Sequence, residues 1–570
     1  MTEIDLESRT RVWSPLSKLE QISVSSKLSM EEQNMALVEE QLKEYRGKIE
    51  NLQKQNAASE ERRIPLLSLC APIRRIPREL LCEIFTWSNL TSILEYKYGY
   101  RKNDSSSAYT SWSTVTVPCL TLSRVCLAWH NIVKDAAFLW TSISVKIQQP
   151  RYEEDEESFP QHVQRLSNAI QSILTRTRNC SLDVTINYMQ DWVGEENAGI
   201  RLHRDTLLKL LLEQCPRWKH AEFDIPRLGV LYDGEVYRRV SNQLPLLETL
   251  SITAHNSRRA ANAQVDSDDS DQEYFVCDLF SSAPKLHKVR MKFRDSFWGT
   301  IRMDLPWKQL HELELEYSFF NETHFREVIS EASSLRSLDI SGTFLDTVEG
   351  HPSPPLHLDT ITTIRVKNSV ECCFSSFALF SRLTNLTVTI VQDSKDLWIA
   401  LKCVFLETFA TLIAFTFDSA VAIYLEDALD AVSRLQNLAS LTIKANIIEM
   451  SAFNFPYDSL RRQLKKLRSA SLVTTHAPRQ GLERIVDSSL DFFTAFCQRP
   501  DLAFPLEPSS YTDTFTRLQK ARLKLLRIGP FPENGKPRLK QLLDDGLDII
   551  VRDVKGLVNP ELQPEPSSTS

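Results

Sequence analysis

Leu310-His311-Glu312-Leu313-Glu314-Leu315-Glu316 carries apolar residues at i, i+3 and i+5, with acidic residues alternating between them. Alternation of this kind marks a strand with one covered face and one open face. The same triplet recurs upstream as Leu286-Val289-Met291, Leu247-Leu250-Ile252 and Trp218-Ala221-Phe223. Downstream it recurs as Leu335-Leu338-Ile340, Ile361-Ile364-Val366, Leu383-Leu386-Val388, Leu412-Phe415-Phe417, Leu438-Leu441-Ile443 and Leu467-Ala470-Leu472. From Trp218 onward the starts follow one another after 29, 39, 24, 25, 26, 22, 29, 26 and 29 residues. A single short strand cannot close a core. Copies at a fixed period stack side by side, strand beside parallel strand, and bury a continuous apolar layer.

A period of about 20–29 residues is that of leucine-rich repeats. The expected fold is therefore α/β, a repeat solenoid over 180–555 with a parallel sheet and helices. His324–Ile329 and Leu425–Val432 are helix-like stretches between strands. The gap of 39 holds the acidic tract Asp266–Glu273, read as a loop at 262–273 inserted into one repeat. Arg538–Val551 reads as helix, Gly turn and strand, a last repeat, and the Pro/Ser/Glu-rich 556–570 as a disordered tail.

The residues between the triplet positions face away from the core. One strand offers Lys288, Arg290 and Lys292, and the next offers Glu312, Glu314 and Glu316. Beyond them come Asp339 and then Arg365 and Lys367. Parallel strands lie about 4.8 Å apart, so opposite charges meet across the sheet. The favoured reading is a cross-strand ladder that satisfies itself. The sharper reading is a charged recognition strip for a partner peptide.

Upstream the character changes. Residues 1–27 are polar and read as disordered. In 28–64 a heptad appears, with Leu28, Met35, Leu42 and Ile49 seven apart and Val38, Tyr45 and Leu52 three residues after the last three. The seam offers a weak homodimer; a helix lying against its own domain or in solvent is the commoner outcome at this length. Residues 65–146 read as a helical unit. One helix lies around Pro77–Phe85 and a second over Leu120–Val133, with Leu122, Val125, Cys126, Trp129 and Val133 on one stripe. Between them, 88–117 is a polar insertion with no assignable structure. Residues 147–179 read as a linker and a first helix.

Composition narrows the function. Of 570 residues, 67 are Lys or Arg and 74 Asp or Glu, a net charge of −7 that argues against nucleic acid. No secretory signal is expected in the acidic opening Met1–Glu7, and no apolar run reaches membrane-spanning length. Eleven scattered Cys without CxxC pairs fit a reducing compartment, cytoplasmic or nuclear. The basic run Arg461–Arg468 reads as a solvated helix face before it reads as a nuclear signal. Phosphate-loop, dinucleotide, zinc-hydrolase and nucleophile-elbow motifs are absent, so neither enzyme nor cofactor is expected. His130, beside the Trp129 stripe, reads as a surface or packing residue.

Three blocks, Pro72–Phe85, Leu122–Trp129 and Phe138–Ile143, resemble in their order an F-box, in the version of mushroom-type fungal proteins with an upstream helix and a long insertion. The resemblance covers about 80 residues, and Leu127-Ala128 departs from it where basic residues are common. It implies an all-α F-box before the repeats and a substrate-receptor subunit of an SCF-type cullin-RING ubiquitin ligase. The F-box would dock a Skp-type adaptor and through it a cullin, and the repeats would hold an unknown substrate protein. The implied adaptor-facing set is Ile76, Pro77, Leu80, Ile84, Phe85, Val125, Cys126, Trp129 and Trp140, some of them expected to be internal. The alternative is a leucine-rich scaffold unconnected with ubiquitin transfer.

Overall fold

The computed structural model describes residues 17–70, 72–88, 91–103, 106–148, 159–189, 206–225, 240, 243–255, 275–298, 301–345, 357–368, 380–391, 401, 410–449, 460, 463–474, 489–494, 518, 520–525 and 536–544. The expected acidic loop, the C-terminal tail, the strand after Gly546 and residues 1–16 lie outside the described residues. The chain divides into two units, Met1–Trp87 and Ser88–Ser570.

The first unit is helical. Helix α1 spans Lys18–Cys70, 53 residues rich in strong helix formers. It opens on a capping box: the Glu20 N–H donates to Ser17 Oγ, and the Ser17 N–H donates to Glu20 Oε2 at 2.9 Å. Helix therefore already covers Lys18–Lys27, where polar disorder was expected. It also runs past the expected boundary, through Pro65, which forgoes one bond to the carbonyl four residues back. Ion pairs Glu44–Lys48 (2.6 Å) and Glu50–Lys54 (2.8 Å) brace its surface one turn apart. Every residue from Ser25 to Ala57 is exposed. A 3₁₀ turn at Pro72–Arg75 leads to helix α2, Arg78–Trp87.

The second unit starts with a hairpin. β1 (Ser92–Asn103) and β2 (Ser106–Thr116) pair antiparallel over the polar insertion to which the sequence assigned no structure. Tyr, Thr and Val favour strands, and Ser92, Leu94 and Tyr96 alternate into the core. Two short helices follow, α3 (Pro118–Ser123) and α4 (Leu127–Asp135), in place of the one expected. The Ser123 hydroxyl takes the Leu120 carbonyl, and the Arg124 and Val125 N–H groups reach back only three residues, which ends the first helix. The expected stripe is broken there. A 3₁₀ turn, Ala137–Trp140, leads to β3 (Ser142–Gln148). β3 is parallel to β1, so the sheet begins at Ser92 rather than near 180, and the segment 65–146 is not all helical.

Helix α5 (Phe159–Thr177) lies over the hairpin, with a His162 ring nitrogen 3.0 Å from the Ser113 hydroxyl. The strands that follow are β4 (Leu182–Met189), β5 (Trp218–Ile225), β6 (Thr249–His255), β7 (Phe275–Cys277), β8 (Lys288–Trp298), β9 (Ile301–Met303) and β10 (Glu312–Asn321). After helix α6 (Glu322–Glu331) come β11 (Ser337–Leu345), β12 (Thr363–Lys367), β13 (Asn385–Ile390) and β14 (Ala414–Tyr424). Helix α7 (Leu425–Val432), β15 (Ser440–Glu449), β16 (Ser469–Thr474), β17 (Lys520–Leu525) and helix α8 (Lys536–Asp544) complete the order.

Among the described residues, fifteen strands form one sheet in the order β17-β16-β15-β14-β13-β12-β11-β10-β8-β6-β5-β4-β3-β1-β2, parallel except for the β1–β2 pair. β7 and β9 form a separate parallel pair. All three apolar positions of each of the ten repeated triplets are buried. One residue ahead of the strands a further ladder runs along the array. The Glu248 N–H donates to the Lys219 carbonyl, His287 to Glu248, His311 to His287, and Arg336 to His311. The architecture is α/β, a long, mostly parallel sheet with helices, compatible with a solenoid.

Candidate functional site

The nine residues implied to face an adaptor divide between the two units, five in the first and four in the second. In α2, the pitch of the helix sorts the apolar residues onto two sides. Leu81 and Phe85 are buried, Phe85 with 2% of its surface exposed. Leu80 and Ile84 are open at 50% and 47%, and Trp87, one turn further, at 86%. Pro77 is exposed, and its carbonyl accepts the Leu81 N–H at 3.1 Å as the helix starts. Ile76 is half-buried. Phe85 is thus a core residue of this structure and not part of an open face. Trp87 lies on the open face; its position three residues after Ile84 and seven after Leu80 was the signal for it.

In the second unit the pattern repeats. Trp140 is 2% exposed; its indole N–H donates to the Val133 carbonyl at 2.9 Å, and Arg176 of α5 lies over its ring at 4.7 Å. It anchors the turn after α4 to the helices around it and does not face outward. The Cys119 thiol donates to the Leu139 carbonyl at 3.0 Å, and burial pushes its pKa up to about 11. It is a packed thiol that its surroundings keep protonated. Val125 is open, while Cys126 and Trp129 are half-buried. Leu120, Leu127 and Phe138, absent from the expected set, are also open, Leu127 at 76%. Each unit therefore carries a short helical surface with several large apolar side chains in water, which monomeric proteins ordinarily cover.

The open face of the sheet is a second candidate. β8 and β10 pair in the register that sets Lys288 against Glu312, Arg290 against Glu314 and Lys292 against Glu316. The ion pairs close at 2.7, 2.6 and 2.7 Å, and Lys292 also lies 3.7 Å from Glu314. Arg365 reaches Asp339 at 3.8 Å, and Lys367 is exposed at the end of β12. Towards the other side, His220 lies 3.8 Å from Asp183, Thr185 donates to Glu222 and Asn187 to Asp224. The Asp339 carboxyl titrates above its usual range, chiefly because it is partly desolvated and then because Glu314 repels it; Arg365, Arg290 and Lys292 act against this. The charges of this face are mostly matched within the sheet, which leaves specificity rather than raw attraction as its contribution to any contact.

Among the described residues, no group of three or more His, Cys, Asp or Glu is placed to hold a metal ion. No helix among them is long and apolar enough to cross a membrane. In the described part of the basic run, 463–468, Leu464 and Leu467 are buried and the chain enters β16. No protein-family model matches this chain, and no curated protein matches it.

Proposed function

We propose that this chain is a non-catalytic substrate receptor of an SCF-type cullin-RING ubiquitin ligase, acting in the cytoplasm or nucleus. The segment resembling an F-box docks a Skp-type adaptor, and the array of strands, read as leucine-rich repeats, holds the protein to be modified. The observation that supports this reading is the open stripe Leu80–Ile84–Trp87 on α2, whose first two residues lie inside the block on which the resemblance rests. A helix that keeps Leu81 and Phe85 for its own packing and leaves a second apolar side in water is suited to pairing with another protein. Desolvating such side chains supplies most of the affinity at an interface, with aromatic anchors such as Trp87 dominating. The ion-paired sheet face suits a target of matching charge pattern, since a mismatched one leaves charges unpaired.

The test is capture of a recombinant Skp-type adaptor by the intact chain. The native protein is expected to retain it, and Leu80→Asp to lower the affinity at least tenfold, about 1.4 kcal/mol, with an unchanged melting curve because Leu80 is exposed. Equal capture by both proteins would sink the docking assignment. Capture by neither would favour the scaffold reading.

A further inference from the structure

We infer that α1 associates with the α1 of a second copy of this chain as a parallel, two-stranded coiled coil centred on Met35–Leu52. The inference does not depend on the ligase reading. α1 lies in solvent over its whole middle, from Ser25 to Ala57, so nothing in its own unit covers the seam. Met35, Val38, Leu42, Tyr45, Ile49 and Leu52 are between 49% and 64% exposed. They fall at alternating intervals of three and four residues, the 3.5-residue repeat that keeps one stripe facing a partner helix along its length. Helices gain most of their stability from packing an apolar face, and between Ser25 and Ala57 this one has none packed.

The flanking positions say which partner fits. Taking Met35, Leu42 and Ile49 as the first position of each heptad, one flank carries Lys27, Asn34, Gln41, Lys48 and Gln55. The other carries Glu32, Glu39, Arg46, Gln53 and Glu60. In a parallel pair of identical helices each residue of the first flank meets the residue five further on in the second copy. The meetings are Lys27 with Glu32, Asn34 with Glu39, Gln41 with Arg46, Lys48 with Gln53 and Gln55 with Glu60. None sets like charges together. Asn56 takes the first position of the next heptad, seven residues after Ile49, where a polar pair favours parallel, in-register dimers. Gly47, the weakest helix former of the stretch, sits on the side opposite the seam, where an added Cβ would touch nothing within 4 Å. Glu31 occupies the core position between Leu28 and Met35 and opposes its own copy. Association is therefore modest and depends on concentration.

The experiment is light scattering on the intact chain as it is concentrated from low to high micromolar. The native mass is expected to rise from 65.5 kDa toward twice that value. Glu31→Leu, which completes the seam, is expected to tighten the dimer at least tenfold, and Leu42→Asp combined with Ile49→Asp to hold the chain at the monomer mass. Mild oxidation of Leu42→Cys is expected to give a disulfide between the two introduced thiols, because equivalent core positions face each other only in the parallel register. A monomer mass for both the native chain and Glu31→Leu would overturn the inference. So would a dimer that survives the double Asp variant. A dimer lacking that disulfide would overturn the parallel register.

Discussion

Asp339 stands where two rows of charge meet, with Glu314 on one flank and Arg365 on the other. Its folded pKa is raised above the usual 3.8, so the folded chain holds this proton more tightly than the unfolded chain does. The sign follows from linkage. The stability is fully present at low pH and is lost as pH climbs from about 3.8 through the raised folded value. Asp339→Asn is expected to leave the protein at least as stable at pH 7, with a flatter dependence of melting temperature on pH above 4. The opposing loss, the Arg365 pair at 3.8 Å, is an exposed one and worth under about 1 kcal/mol. Melting curves of both proteins across this range check it; a variant clearly less stable at pH 7 would show that attraction to Arg365 outweighs desolvation. At this scale the ladder partners were legible, because strand alternation and register follow from one period. Phe85 and Trp140 were not. Apolar residues two or three apart on a short helix give no sign of which side the core lies on, and both proved to be interior.

Among elements, those made visible by a period were legible and those without one were not. Within the long sheet, the strands from β5 to β16 start on the repeated triplets, while the separate pair β7 and β9 carries none. The β1–β2 hairpin has no triplet, and Lys102 falls on the alternate positions shared by Leu94 and Tyr96, so this polar stretch gave no assignable element. The break between α3 and α4 escaped because neither Gly nor Pro marks it; a serine back-bond and two short backbone bonds make it. α1 offers a cleaner test of helix physics. Gly47 lies in its exposed middle with open space around it. Gly47→Ala is expected to stabilise the helix by about 1 kcal/mol through backbone entropy alone. Circular dichroism of the intact chain on heating should show the helical signal persisting to higher temperature. No change would mean that the helix is held by something other than its own propensity.

At the scale of the molecule, the sheet passes its order from neighbour to neighbour. Among the described residues, β13 is paired with β12 on one side and β14 on the other. A buried charge introduced at Leu386 should therefore be felt locally. In Leu386→Asp, amide hydrogen exchange is expected to accelerate most in β12, β13 and β14, with β4 and β5 keeping their native rates. Uniform acceleration would show that the array unfolds as one block. The same arrangement has a mechanical side. The strands are clipped to each other along the array and the terminal ones are held on one side only. Tension on the chain ends peels strands singly instead of shearing many at once. Across the repeats from β8 to β16, each release pays out 22 to 29 residues, about 80–100 Å of extended chain. Stretched, the array lengthens as a staircase, a tether that yields in steps while its middle stays folded.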